Sequence, residues 1–327
     1  MNLKPRPIKN DIPVVLYNPE NEKPSRWTFM KILREHSDLK EYYPEINPYA
    51  EAYKFRDNTW CIFLPSIMKG LGDMWVYLIE GPEKAMLIDT GLGLGDLKGL
   101  CEKLVNGKEI ICVNTHNHLD HIGGNPQFDK VYINVYDAPH LEEENNEEFM
   151  KNNLLKEDGT PKDGEYDVTR LVPYRHYEVV AVPDGYTFDL GDGYEIELNH
   201  LSGHTAGQSA FYDKQTKCLF IGDTTSAFGG FNNERFPEMC TVNSFRDRVK
   251  RVIERYGDEI SGVFPGHGCI DLHPVVLQYE LDTCNQIIAH PDWSSKTVMF
   301  GGMPLMAQFI YQFGSDFKYS ADAVIPE

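Results

Sequence analysis

Short apolar runs bounded by turn residues begin at Thr59 and recur to about residue 265. TWCIFLP (59–65), DMWVYLIEG (73–81) and KAMLIDTG (84–91) read as strands, and GPEK (81–84) reads as the hairpin turn joining the last two. LKGLCEKLV (97–105) has apolar residues at 97, 100, 101, 104 and 105, the spacing of one helical face. EIICVN (109–114), KVYINV (130–135) and YEIELNHL (194–201) return to strand character. QSAFYD (208–213) and KCLFIGD (217–223) flank the turn DKQTK, which predicts a second hairpin. Phe245, Val249, Val252, Ile253 and Tyr256 share a face, predicting a helix over 244–256 with Ser244 and Asp247 as a capping pair and Gly257 as its stop. GVFPGHG (262–268) is a strand entering a loop, and Pro274 suits the first turn of a helix running to about Ala289. Strands and helices alternate, yet hairpins interrupt them, so two mixed sheets with helices outside are expected in place of a doubly wound parallel sheet.

The flanks differ. Residues 1–58 are polar and Pro-rich and read as an N-terminal arm with one short helical pattern at 27–36. The main folded domain is expected over 59–290, with a charged surface insertion near 141–177. Residues 291–327 form a C-terminal extension, in which Leu305, Met306, Phe309, Ile310 and Phe313 fit one helical face. That face predicts burial against the core, a homodimer contact or the substrate pocket.

Composition narrows the partners. Among 327 residues, 31 basic against 50 acidic side chains give a formal charge of −19, which disfavours a nucleic-acid backbone or an anionic membrane surface. Seven cysteines, an odd number with no CxxC, make neither a disulfide framework nor a zinc ribbon. No apolar stretch reaches 18 residues and the N-terminus lacks an apolar signal core. A soluble, cytoplasmic protein acting on a small-molecule substrate is the expectation. GLGLGDL (91–97) misses the third glycine of a dinucleotide loop, so no organic cofactor is expected there.

Candidate chemistry is concentrated in THNHLDHIGG (115–124), where His116, His118, Asp120 and His121 lie within six residues after a buried-type strand. In extended backbone, 116 and 118 point the same way, and a bend at 120–121 offers the other two to a neighbouring position. His204 in LSGHTAGQS, Asp223 at the end of KCLFIGD and His267 in VFPGHG are further ligand types in loops at strand ends. Imidazole and carboxylate suit zinc, and also iron or manganese. Seven such groups exceed one tetrahedral ion and suit two.

The succession HxHxDH, GHTxG, a strand ending in GD, and PGHG resembles the metallo-β-lactamase-fold superfamily over about residues 59–290. The resemblance implies an αββα sandwich of two mixed sheets with outer helices and a metal site at one edge. It implies two zinc ions per chain, the first on His116, His118 and His204 and the second on Asp120, His121 and His267. Asp223 and a water or hydroxide would bridge them, Asp120 would also orient the nucleophile, and Asp89 in LIDTG would support the site without ligating. Asp223 stands where antibiotic-hydrolysing relatives carry Cys or Ser, and His118 stands where the flavodiiron branch carries Glu. What remains is the lactonase and hydroxyacylglutathione-hydrolase type, phosphodiesterases and sulfatases: hydrolysis of an ester, lactone, thioester, phosphoester or sulfoester. The alternatives are a mononuclear iron oxidoreductase like the persulfide dioxygenases, and a non-catalytic binding protein on the same fold.

Overall fold

Eight strands line up in chain order in the first sheet of the computed structural model: Lys40–Glu41 (β1), Glu51–Arg56 (β2), Thr59–Leu64 (β3), Met74–Glu80 (β4), Lys84–Ile88 (β5), Glu109–Val113 (β6), Lys130–Asn134 (β7) and Glu178–Val182 (β8). β1 to β5 form an antiparallel meander, and β5 to β8 are parallel. Parallel neighbours need crossovers, and here these carry the helices Leu97–Leu104 (α1), Leu119–Ile122 (α2), Ala138–Glu144 (α3) and Glu147–Leu154 (α4). The chain continues through Thr187–Asp189 (β9), Glu195–His200 (β10), Ser209–Asp213 (β11), Cys218–Gly222 (β12), Phe228–Gly229 (β13), the helix Val242–Tyr256 (α5), Gly262–Pro265 (β14) and the helix Val275–Ala289 (α6). The second sheet has the order β14-β12-β11-β10-β9, with β12 and β14 parallel. The structure describes residues 32–34, 38–68, 71–224, 228–229, 235–294, 296–300, 303–310 and 315–325. The helix expected at 27–36 lies outside these residues except for 32–34, which are helical.

Side-chain alternation separates three apolar layers. Cys61, Phe63, Trp75 and Tyr77 of the first sheet meet Leu198, Phe211, Phe220 and Phe264 of the second. The other face of the first sheet, through Ile62, Val76 and Leu87, is covered by Leu97, Leu100, Leu104 and Leu141 of α1 and α3. The outer face of the second sheet, through Ala210, Tyr212 and Leu219, is covered by Val249, Val252, Leu277 and Cys284 of α5 and α6. This is the αββα sandwich. The Tyr77 ring packs on Phe220 and Phe264, with centroids 5.0 and 5.7 Å away, and its hydroxyl donates to the carbonyl of Pro265. That contact joins the sheets one residue before the loop that carries His267.

Three expectations change. First, β1 and β2 lie within the stretch assigned to an arm, so the first sheet begins before residue 59. Pairing of Arg56 with Thr59 closes a tight hairpin, and the polar look of EAYKFR conceals Glu51, which is buried against Arg34 (2.7 Å) and Lys40 (2.9 Å). Second, α5 begins two residues early, because the Thr241 hydroxyl accepts from the amide of Ser244 at 3.0 Å. Third, the C-terminal segment is a sheet and not a helix. Lys296–Phe300 (β15), Met303–Ile310 (β16) and Ser315–Tyr319 (β17) join β13 in the order β13-β17-β16-β15. The apolar spacing at 305–310 fits either period, and antiparallel neighbours on both sides decide it. The buried residues Leu305, Phe317 and Tyr319 follow, with Phe317 5.8 Å from Phe245 of α5.

Candidate metal centre

Five strands end at one edge of the sandwich. Ile88 is in register with Val113 across β5 and β6, so Asp89 and the 114–121 loop leave the sheet together. The parallel pair β12 and β14 delivers Asp223 and His267 to the same edge, and β10 leads to the loop carrying His204. All seven residues expected as ligands converge there. Ligand atoms of His116, His118 and His204 lie within 4.8 Å of one another, as do those of His116, His121 and Asp223, and those of Asp120, His121 and His267.

In the first group, Nδ1 of His118 is 3.1 Å from Nε2 of His116 and 3.0 Å from Nε2 of His204. Three ring nitrogens facing one another are poorly arranged for mutual hydrogen bonding but well arranged for a cation. Tetrahedral bonds of about 2.0–2.1 Å give ligand–ligand edges of about 3.3 Å. Burial and the neighbouring imidazoles push His116 well below the ordinary histidine value, and burial with His118 does the same to His204. The rings are therefore neutral and have lone pairs to offer.

The second group is acidic. His267 Nε2 is 3.3 Å from Asp120 Oδ2 and 3.5 Å from Asp223 Oδ2. His121 Nε2 is 3.3 Å from Asp223 Oδ1, yet neither atom has a hydrogen bond. Burial would lower His121, but Asp223, Asp89 and Asp120 outweigh it and raise it well above its usual range. His267 is likewise raised to about 9, its burial outweighed by Asp223 and Asp120. Burial would raise Asp120, but His121 and His267 hold it down at about 2. Positive charge is thus drawn to this half. Asp223 also lies 3.6 Å from His204 Nε2, so one carboxylate reaches both groups. The donor set fits two divalent cations.

Supporting bonds fix the rings. Asp89, in the left-handed region at φ 65°, accepts from the Thr115 amide (2.7 Å), the Thr115 hydroxyl (2.8 Å) and His121 Nδ1 (2.8 Å). His267 Nδ1 donates to the Asp73 carbonyl at 3.0 Å. Asn114 donates to the His121 carbonyl and pairs with Asn125. The Asp73 and Asn125 contacts were absent from the sequence reading, since backbone acceptors and buried amides carry no motif. A Cβ at Gly266 would meet Asp223 Oδ1 at 2.8 Å and His121 Cε1 at 2.9 Å, which explains the glycine of PGHG.

Two further histidines close to the motifs in sequence have partners of their own. His200 is buried, donates through Nε2 to the Ala206 carbonyl (2.7 Å) and stacks on Tyr136, so it anchors the His204 loop. His273 Nδ1 accepts from the Val275 amide at the start of α6. Residues 226–231, which follow Asp223 in sequence and are a candidate wall of the cleft, lie outside the described residues apart from Phe228 and Gly229. Among the described residues, no helix is long and apolar enough to cross a membrane.

Known proteins resemble this chain in sequence and in fold. The acyl-coenzyme A thioesterase MBLAC2 of Homo sapiens is 28% identical over 212 residues, covering 59% of this chain and 72% of that protein. The hydroxyacylglutathione hydrolase GloC of Haemophilus influenzae is 27% identical over 202 residues, covering 58% and 84%. The solved structure of a metallo-beta-lactamase from Pontibacter korlensis has a TM-score of 0.51 at 22% identity, covering 72% of this chain and 99% of the other, which supports the fold. Residues 70–288 match the Metallo-beta-lactamase superfamily, and with the converging His/Asp groups in place the chain belongs to that superfamily.

Proposed function

We propose that this chain is a dinuclear zinc hydrolase that cleaves acyl thioesters. The observation that carries it is Asp223, whose carboxylate reaches His204 on one side and His121 and His267 on the other. His116, His118 and His204 would hold one cation, and Asp120, His121 and His267 the other, with Asp223 shared. Bound cations supply Lewis acidity and a nucleophilic water at neutral pH. The chain's own groups do the positioning. Asp120 stays ionised beside His267 and accepts a hydrogen bond from the attacking water, orienting it toward the acyl carbon. Asp89 and the Asp73 carbonyl fix the Nδ1 sides of His121 and His267, leaving both Nε2 atoms facing the site.

The thioester class is supported by two relatives named for acyl-coenzyme A and hydroxyacylglutathione, both of them acyl thioesters. It also suits the site chemically. A thiolate with a pKa near that of cysteine, about 8.5, departs without a strong general acid.

The test is a hydrolysis screen of the full chain, stripped of metal and reloaded with zinc, manganese or iron. Acyl-coenzyme A, acylglutathione, lactone, phosphodiester, aryl sulfate and β-lactam substrates are compared by kcat/KM, with metal content measured on the same samples. The expected result is two zinc ions per chain and highest kcat/KM on a thioester. Higher kcat/KM on a lactone or phosphodiester overturns the substrate class. Full activity with one metal per chain overturns the dinuclear site, and oxygen consumption in place of hydrolysis overturns the hydrolase.

A further inference from the structure

The His204 loop and the His116–His118 loop come from different sheets, and one buried side chain outside the ligand set joins them. Asp137 is fully buried at the end of the segment that follows β7. Its Oδ2 accepts from the Asn117 amide at 3.3 Å and from the Thr205 hydroxyl at 2.6 Å, and its Oδ1 accepts from the Gly207 amide at 2.5 Å. Asn117 lies between His116 and His118, and Thr205 follows His204. All three donors thus belong to the two loops that bear the all-histidine group, and none belongs to Asp120, His121 or His267.

Asp137 also occupies the N-cap position of α3, where an aspartate ordinarily accepts from an amide of the first helical turn. It makes no such bond; both oxygens turn to the loops. The approach is close enough to dictate a residue type. A Cβ on Gly207 would lie 2.6 Å from Asp137 Cγ and from its amide nitrogen. The loop between His116 and His118 is therefore gripped on its backbone by the N-terminal end of this helix.

We infer that Asp137 is a positioning residue for the first metal site, holding His118 and His204 3.0 Å apart, close to the edge of about 3.3 Å around a tetrahedral cation. This rests on the metal-centre reading above. Its loss weakens the first site and leaves the second intact, because the second site's rings are fixed separately through Asp89 and Asp73. Partners of this kind typically contribute about 10–100-fold to metal affinity.

The experiment titrates the full metal-free chain and its variants with cobalt(II) alone, against a competing chelator. It reads two affinities, the visible absorption spectrum of each bound ion and the melting temperature of the metal-free protein. Asp137→Asn keeps the size of the side chain but replaces one acceptor oxygen with a donor. Thr205→Val removes one donor, and Thr205→Ser restores it. Asp137→Asn is expected to weaken the first affinity about 10–100-fold, change that ion's spectrum and leave the second affinity unchanged. Thr205→Val does the same to a smaller degree, and Thr205→Ser behaves as wild type. Equal weakening of both sites, or a lower melting temperature with both affinities intact, overturns the inference and returns Asp137 to a structural role. If Asp137→Asn fails to fold, the two Thr205 variants decide by the same readings. A wild-type chain that binds no cobalt overturns the metal centre itself, whereas a wild type binding two ions beside an unaffected variant overturns this inference alone.

Discussion

The two halves of the centre share an edge, the Asp223 carboxylate and deeply buried members (His116 and His204 in one, Asp120 and His121 in the other), yet burial has opposite consequences in them. In the all-histidine half it leaves His116 and His204 neutral. In the acidic half it is overridden: Asp120 and Asp223 sit below the usual carboxylate range, and His121 and His267 above the usual imidazole range. Partner charge, not enclosure, decides which form is held. One half is a set of lone pairs held in position by hydrogen bonds to its loops. The other is a pocket of negative charge that attracts a cation before geometry is considered.

The largest effect should come from the residue common to both halves. Asp223→Ala removes the carboxylate between His204, His121 and His267, so both affinities should fall and hydrolysis should drop about a thousand-fold, the equivalent of several kcal/mol. His267→Ala removes a ligand from one half only and should cost less, with the first ion retained. Metal content and kcat on samples of equal melting temperature check the order. An Asp223→Ala protein that keeps two ions and most of its kcat would show that the halves are not joined there.

A smaller effect is expected at Asp89, which bonds His121 directly and Thr115 twice. Asp89→Asn should weaken the second ion about 10–100-fold. The first ion should also shift, because the Thr115 hydroxyl lies 3.0 Å from Nδ1 of His116. Asp137→Asn, by contrast, should spare the second ion. The same chelator titration on both variants gives the comparison, and identical responses would mean that one support serves the whole edge.

The residues that converge as candidate ligands were legible in the sequence because each is tied to a local signal. Four lie within six residues, and the other three follow apolar strands whose ends must reach a sheet edge. What holds the ligands was not legible. Asp137 belongs to none of the motifs, the contact to His267 is a backbone carbonyl, and Asn114 and Asn125 are buried amides outside any ligand pattern. Thr205, Gly207 and His267 meet their partners only when the two sheets face each other, and Asn114 and Asn125, 11 residues apart, meet only when the loop after β6 folds back. The same non-locality hid β2, whose polar Glu51 is buried by a partner 17 residues away, and turned the C-terminal segment into a sheet against its helical spacing.

Glu280 tests the role of partner charge with the smallest expected effect. It lies on α6, fully buried, and neither carboxylate oxygen has a hydrogen-bond partner. Its surroundings are the apolar layer of Leu277, Cys284 and Ile287. Burial alone raises it well above its ordinary value of 4.5, the opposite of what His121 and His267 do to Asp120. The sign of the linkage follows. A carboxyl whose folded value lies above its unfolded one is bound to its proton more tightly when folded, so stability falls as pH rises above the unfolded value and continues to fall until the folded value is reached. Glu280→Met removes both the unpartnered oxygens and the titration. The variant should be more stable by about 1–3 kcal/mol at neutral pH, with a margin that shrinks toward pH 5. Denaturant unfolding of the metal-free proteins between pH 5 and 8 measures that margin. A margin that stays constant with pH would mean that Glu280 has a charged partner when folded, and that the contrast with the acidic half of the centre does not hold on α6.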